Sequence, residues 1–409
     1  REELQPYDIC SYAYKGDYRF RREALDDSDE LLNPPGAKLI IRGTWSGFAQ
    51  EEMQEHEDGY FIHTVILGDT RCESFDISIG GNSDFHFYPA AHKAHQNIWV
   101  EGPDHQSKDR RWMIDGRNEE VPAGTVYQIK FWWGRYRRRI EWEEVSPGMA
   151  SLAVKYDHRY QILGSFNSWR KDEMKRDSDE EGIWEYDIKI GVTGIEEFRL
   201  CRDHDDQQAV YPAKAKCTKT SIPVRGPDDM GDDKGWVVNG SVGEKVKVRL
   251  EVENGRVIVA IKYKSSEHVW ESMEGFERHE YHLIFEGGSC TKMVMDPEVP
   301  GVFRGRGRIG NTYNEKYRGL CEFFSIIVDE DPHYAFYPDV ACASTGECIC
   351  WGPDKGCQGR PFMVKSWQAG AGFEVVLNLL AEDKRQIVTW TWDTAPVFNF
   401  GSGMALMDS

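Results

Sequence analysis

The chain has 409 residues, 29% of them charged and 40% hydrophobic, and a formal net charge of −19. Hydrophobic cores stop growing at roughly 250–300 residues, so several domains are expected. The apolar runs fall short of the roughly 18 residues of a membrane-spanning helix, and the negative charge disfavours phosphate backbones and anionic lipid heads, which excludes nucleic acid as a partner.

The chain begins at Arg1 with no signal-like pattern, which reads as a processed or trimmed start. Residues 1–36 form an N-terminal arm. Its segment "DICSYAYKGDYRFRRE" is too rich in aromatic residues for a free disordered tail and suits docking on a neighbour. The arm closes in "DDSDELLNPPGAK", where the proline pair and the glycine stop any helix.

Three copies of one pattern follow. Phe75, Phe198 and Phe324 each precede a Tyr-Pro pair at one identical spacing, with the tyrosines at Tyr88, Tyr211 and Tyr337. Gly-Pro-Asp comes next in each copy, at Gly102, Gly226 and Gly352, and ten residues on stands Trp112, Trp236 or Phe362. Upstream, Gly59/Gly68, Gly182/Gly191 and Gly301/Gly310 are nine apart. The period is of domain length, which places repeats at 37–146, 156–266 and 277–393 and a tail at 394–409. The joints "EEVSPGMASLAVKYDH" and "YKSSEHVWESMEGFERHE" are short and polar, so the repeats could pack or swing.

Within the repeats the periodicity is that of strands. "YFIHTVI" (60–66), "TVYQIKFWW" (125–133), "WEYDIKI" (184–190), "KVKVRLEV" (245–252) and "RVIVAIKY" (256–263) alternate apolar and polar residues. Asn254-Gly255 supplies the left-handed backbone of a tight hairpin turn. The expected fold is all-β: three tandem immunoglobulin-like β-sandwich domains with little helix.

Several motifs have bland explanations. The basic clusters "RYRRR" (135–139) and "FRGRGR" (303–308) read as solvated faces. "GRGRIG" (305–310) has dinucleotide-binding spacing, but it lies in a β stretch and not between a parallel strand and a helix. Asn239-Gly-Ser is a single glycosylation triplet of the kind chance supplies.

Cys342, Cys348, Cys350 and Cys357 crowd one loop without the paired Cys-x-x-Cys of a zinc knuckle. Disulfides are the preferred reading there, and Cys201 with Cys217 could close a similar loop. If they form, the compartment is oxidising, secretory or organellar; otherwise localisation cannot be read. No metal and no cofactor is expected. No His-Glu-x-x-His frame, Gly-x-Ser-x-Gly elbow or paired carboxylates nominate a catalytic centre, so the chain is expected not to be an enzyme.

The run "YQILGSFNSWRKDEM…GIWEYDIKIG…EEFRLCRDHDD" (160–206) resembles a starch- or glycogen-binding module, an early-set immunoglobulin-like sandwich. The added Tyr-Pro, Gly-Pro-Asp and Trp landmarks resemble a tandem variant of that module in dinoflagellate proteins. The resemblance implies that Trp169 stacks on a sugar ring while Asn167, Ser168 and Lys171 bond its hydroxyls. The second stacking tryptophan of the family has no counterpart in "HDDQQAVYP".

In the first repeat, "GTWSGFAQEEM" places Trp45 and Phe48 where the second has Phe166 and Trp169, the ring types exchanged. In the third, Phe285 replaces the leading glycine, and Gly287 and Cys290 stand in place of the rings. The expected function is therefore non-catalytic binding of an α-glucan or other polysaccharide by three tandem modules, with Trp169, Phe166, Asn167, Lys171, Trp45 and Phe48 as candidate contacts. The alternative is a structural or adaptor subunit whose modules have lost sugar binding and contact protein partners or copies of themselves.

Overall fold

A computed structural model of the chain describes residues 38–107, 110–134, 138–145, 156–346, 348–357 and 359–393. The N-terminal arm, the C-terminal tail and most of the first joint lie outside the described residues. Among the described residues there is no α-helix, and the strands form six antiparallel sheets, two for each repeat. The chain divides into two compact units, Arg1–His279 and Glu280–Ser409.

The second sandwich shows the plan. One sheet runs in the order Asp172–Glu173, Tyr160–Gly164, Ile195–Arg202, Ala209–Pro212, Val224–Asp228, and Trp236–Asn239 also pairs with Ile195–Arg202. The facing sheet runs Lys175–Arg176, Ile183–Lys189, Lys245–Glu253, Arg256–Lys262, Glu267–Glu271. Alternate residues of each strand meet in a core around Tyr160, Trp184, Phe198 and Trp236, all buried. The predicted alternating runs are strands here within a residue or two at each end. The predicted hairpin joins Glu253 to Arg256, with Asn254 and Gly255 at φ 45° and 86°.

The landmarks serve this plan in all three sandwiches. Gly43 lies opposite Phe75, Gly164 opposite Phe198 and Phe285 opposite Phe324, so the register is the same. Each of those phenylalanines is buried and stacks on its cross-strand ring, Trp112, Trp236 or Phe362, with centroids 5.6, 5.4 and 5.3 Å apart. Such a pair adds about 0.5–1.5 kcal/mol beyond the area it buries.

Each Tyr-Pro tyrosine donates its hydroxyl to the Gly-Pro-Asp aspartate, at 2.7, 2.6 and 2.8 Å. The intervening glycines have φ of 85°, 94° and 92°, and a Cβ at Gly226 would lie 2.0 Å from the Ala209 carbonyl oxygen. Close approach at a bulge thus demands glycine there. A glutamate two residues before each phenylalanine, not noticed among the landmarks, is part of the same frame. Glu73, Glu196 and Glu322 accept the backbone N–H of Gly68, Gly191 and Gly310.

One joint segment behaves differently from a free linker. Glu267–Glu271, within the polar second joint, adds an edge strand to the second sandwich, because Trp270 is buried and its indole N–H donates to the Lys219 carbonyl at 2.8 Å. The first two sandwiches pack through buried polar contacts. Arg202, 1% exposed, donates to Thr70 at 2.6 Å and to Gln208 at 2.5 Å and lies 4.0 Å from Glu73. Arg111 pairs with Asp205 at 2.8 Å, and Lys93 and His92 both reach Asp229. In the third sandwich, Gly305 and Gly307 lie in the strand Val302–Arg308; a Cβ at Gly307 would come 2.4 Å from the Phe373 ring, so packing explains this glycine of the "GRGRIG" pattern.

Candidate functional site: an aromatic corner and a cleft

The strand Tyr160–Gly164 ends in a single tight turn, Ser165–Asn167. Gly164 is required at that end because a Cβ there would sit 2.4 Å from the Glu197 carbonyl oxygen. Ser168 and Trp169 follow at φ 57° and 59°, and the Trp169 N–H returns to the Gly164 carbonyl at 2.8 Å. A large side chain in the left-handed region is uncommon, and such residues gather at ligand clamps and other functional sites. The Trp169 side chain projects outward, 46% exposed.

Asn167 holds this corner together and is 7% exposed. Its carbonyl oxygen accepts the Gly164 N–H at 3.0 Å, and its amide donates to the Arg170 carbonyl at 2.8 Å and to Asp172 at 3.0 Å. The Asn167 amide, a candidate for bonding sugar hydroxyls, is turned inward and engaged by these partners. Phe166 is half-buried, packs on the core and tilts against Tyr186 at 5.8 Å, so it supports the corner from beneath. Lys171 donates to the His204 carbonyl and to Asp206, both at 2.8 Å, which fixes its ammonium beside the corner. Ser168 is exposed.

The first sandwich carries the same corner with its rings exchanged. Phe48, at φ 62°, takes the outward position and returns its N–H to Gly43 at 2.8 Å. It is no open platform, because the Arg111 guanidinium lies 4.2 Å over its ring and is itself held by Asp205 of the second sandwich. Trp45 takes the inward position at 8% exposure, stacked 5.8 Å from His63 and tilted against Phe75 at 5.6 Å.

In the third sandwich the corner is missing. Met53 bonds back to Leu39 and Met174 to Tyr160, fourteen residues apart in both, whereas Met293 bonds to Tyr281 across twelve. The loop has lost the two residues that would carry the outward ring.

Trp45 also lines a cleft of about 1200 Å³ between the first two sandwiches, which was not read from the sequence. Its walls include Glu51 and His63 from one side and Tyr156, Glu173 and Trp184 from the other. Glu51 accepts the Trp45 indole N–H at 3.0 Å and lies 3.3 Å from His63. Burial would raise its pKa, but bonds from His63, Ser46 and Trp45 outweigh this and hold its carboxyl below the usual range.

The disulfide expectation is corrected as well: the nine described cysteines are thiols. Cys201 and Cys217 each have a separate neighbour, Gln161 for one and the Lys219 carbonyl for the other, both at 3.5 Å. Burial pushes the Cys201 thiol up to about 12. Cys342 accepts from the Tyr317 hydroxyl at 3.1 Å, Cys357 faces the Pro332 carbonyl, and Cys348 and Cys350 are buried thiols. Crowding along the sequence does not set the Cβ vectors that a disulfide needs. Among the described residues no group of three His, Cys, Asp or Glu side chains is arranged to hold a metal ion.

No protein-family model and no curated protein matches the chain. Among solved structures, SusF from Bacteroides thetaiotaomicron is similar, at 10% identity over 86% of this chain and 71% of its own, with a TM-score of 0.21. A likeness that loose carries no functional argument.

Proposed function

We propose that this chain is a non-catalytic carbohydrate-binding protein in which the second sandwich holds an α-glucan against Trp169. The supporting observation is the Trp169 ring itself: 46% exposed, in a left-handed backbone conformation, on a corner pinned by Asn167. An aromatic face covers the C–H face of a pyranose, and a rigid mount lowers the entropy lost on binding. The fixed Lys171 ammonium and the exposed Ser168 hydroxyl stand near the ring in sequence to bond the sugar hydroxyls.

One ring makes a shallow platform, so affinity for a single chain end is low and a polymer with many repeats is the better ligand. The test is retention of the intact protein on amylose or glycogen, with Trp169→Ala alongside. Retention that the variant loses supports the reading; absence of retention by the unaltered protein overturns it.

The third sandwich favours a second role within the same chain. It keeps every fold landmark but has lost the corner, which suits an adaptor module contacting protein rather than sugar. Sedimentation of the intact protein distinguishes a monomer from a self-associating subunit.

A further inference from the structure

We propose that the cleft between the first two sandwiches is a second carbohydrate site, taking a short neutral oligosaccharide. It rests on the carbohydrate-binding reading above but not on the Trp169 corner. Three features of the cleft point to this ligand class.

The first is size. At about 1200 Å³ the cavity exceeds the roughly 300–1000 Å³ that encloses one drug-sized ligand, so it has room for several linked rings. The second is the pairing of an apolar floor with a polar rim. Trp45 and Trp184, each 8% exposed, come from different sandwiches and line the cleft together. Around them stand Glu51, His63, Tyr156 and Glu173.

The third is the state of the charges. Glu51 is bonded by Trp45 and paired with His63, Glu173 is paired with His204 at 2.8 Å, and Asp157, also on the wall, is paired with Arg176 at 3.0 Å. Each of these carboxylates is already engaged by a neighbouring donor, so none of the three stands open as a cation ligand. With so many carboxylates it repels phosphate and other anions. Each carboxylate still has lone pairs to accept hydroxyl protons, and the neutral ligand with closely spaced hydroxyls and apolar C–H faces is a sugar chain.

The position of Trp45 strengthens the argument. It occupies the inward place that Phe166 takes in the second sandwich, and Gly43 makes room for the larger ring, since a Cβ there would lie 2.4 Å from it. The indole N–H thereby reaches Glu51, a bond that phenylalanine could not make.

The test is titration of the full chain with maltoheptaose and cellohexaose, followed by calorimetry, for the unaltered protein, Trp169→Ala, and two cleft variants in each background. Ala49→Trp blocks the cleft from an exposed wall position, and Glu51→Gln keeps the shape while removing the charge. Unchanged thermal melting of Ala49→Trp shows that it folds.

Binding by Trp169→Ala that either cleft variant weakens at least tenfold supports the cleft. Binding that survives both cleft variants but is lost with Trp169→Ala overturns the cleft and leaves the corner standing. Binding lost with the cleft variants and untouched by Trp169→Ala supports the cleft and overturns the corner. Absence of binding to either oligosaccharide by the unaltered chain overturns the cleft proposal.

Discussion

Replacing Arg202 with alanine should loosen the pairing of the first two sandwiches. Arg202 is 1% exposed and belongs to the second sandwich, yet it donates to Thr70 and faces Glu73 in the first. Removing one partner of a buried charge pair costs about 3–5 kcal/mol, mostly because the other charge is left uncompensated. Here Glu73 keeps the Gly68 N–H at 3.1 Å and the Thr44 hydroxyl, so the lower end, about 3 kcal/mol, applies.

For a unit of this size, 1 kcal/mol shifts melting by about 2–4 °C, which gives a fall of about 10 °C. Scanning calorimetry of the intact chain measures it on the transition of the first unit. Adding Glu73→Gln to Arg202→Met should recover part of the loss, since neither charge then remains buried. A melting point for Arg202→Ala within about 1 °C of the unaltered protein would refute the idea that this contact couples the sandwiches.

Two further outcomes are expected. Asn167→Ala should cost about 2–3 kcal/mol in urea unfolding, because it strands the buried Gly164 N–H and removes the donor to the Arg170 carbonyl, while Asp172 keeps the Tyr186 hydroxyl; a loss under about 0.5 kcal/mol would show that the corner holds without it. Acid should weaken the first unit.

Burial alone would raise the pKa of Asp229, but Lys93 and His92 outweigh it, and Arg117 and Arg278 do the same for Asp115, so both sit well below the usual 3.8. A depressed carboxylate contributes stability above its unfolded pKa and loses it as pH falls through the range beneath. Thermal melting should therefore be steady near neutrality and fall below about pH 4, and Asp229→Asn should flatten that dependence.

The sheets were legible in the sequence because alternation and ring pairs repeat locally. Phe198 and Trp236 announce a cross-strand stack through a spacing kept in three copies, and Asn254-Gly255 dictates its own turn. Glu73, Glu196 and Glu322 stand two residues before each phenylalanine and could have been read the same way.

The joint was not legible. Arg202 and Thr70 lie 132 residues apart, and nothing local marks an arginine that will be buried. The inward turn of the Asn167 amide is not legible either, since a turn asparagine can face solvent or the backbone with one and the same neighbouring sequence. Phe48 matched the outward position, but its cover, Arg111, comes from a segment distant in sequence, just before the strand Trp112–Asp115. The cysteines show the same limit: four in one loop look like staples until their separate neighbours are known.

The measurement that bears most directly on the function is affinity electrophoresis of the intact protein through gels containing glycogen, beside Trp169→Ala. Retardation of the unaltered protein, abolished or strongly reduced in the variant, is the predicted result. Equal mobility of both, with and without glycogen, would contradict the proposed role of the corner.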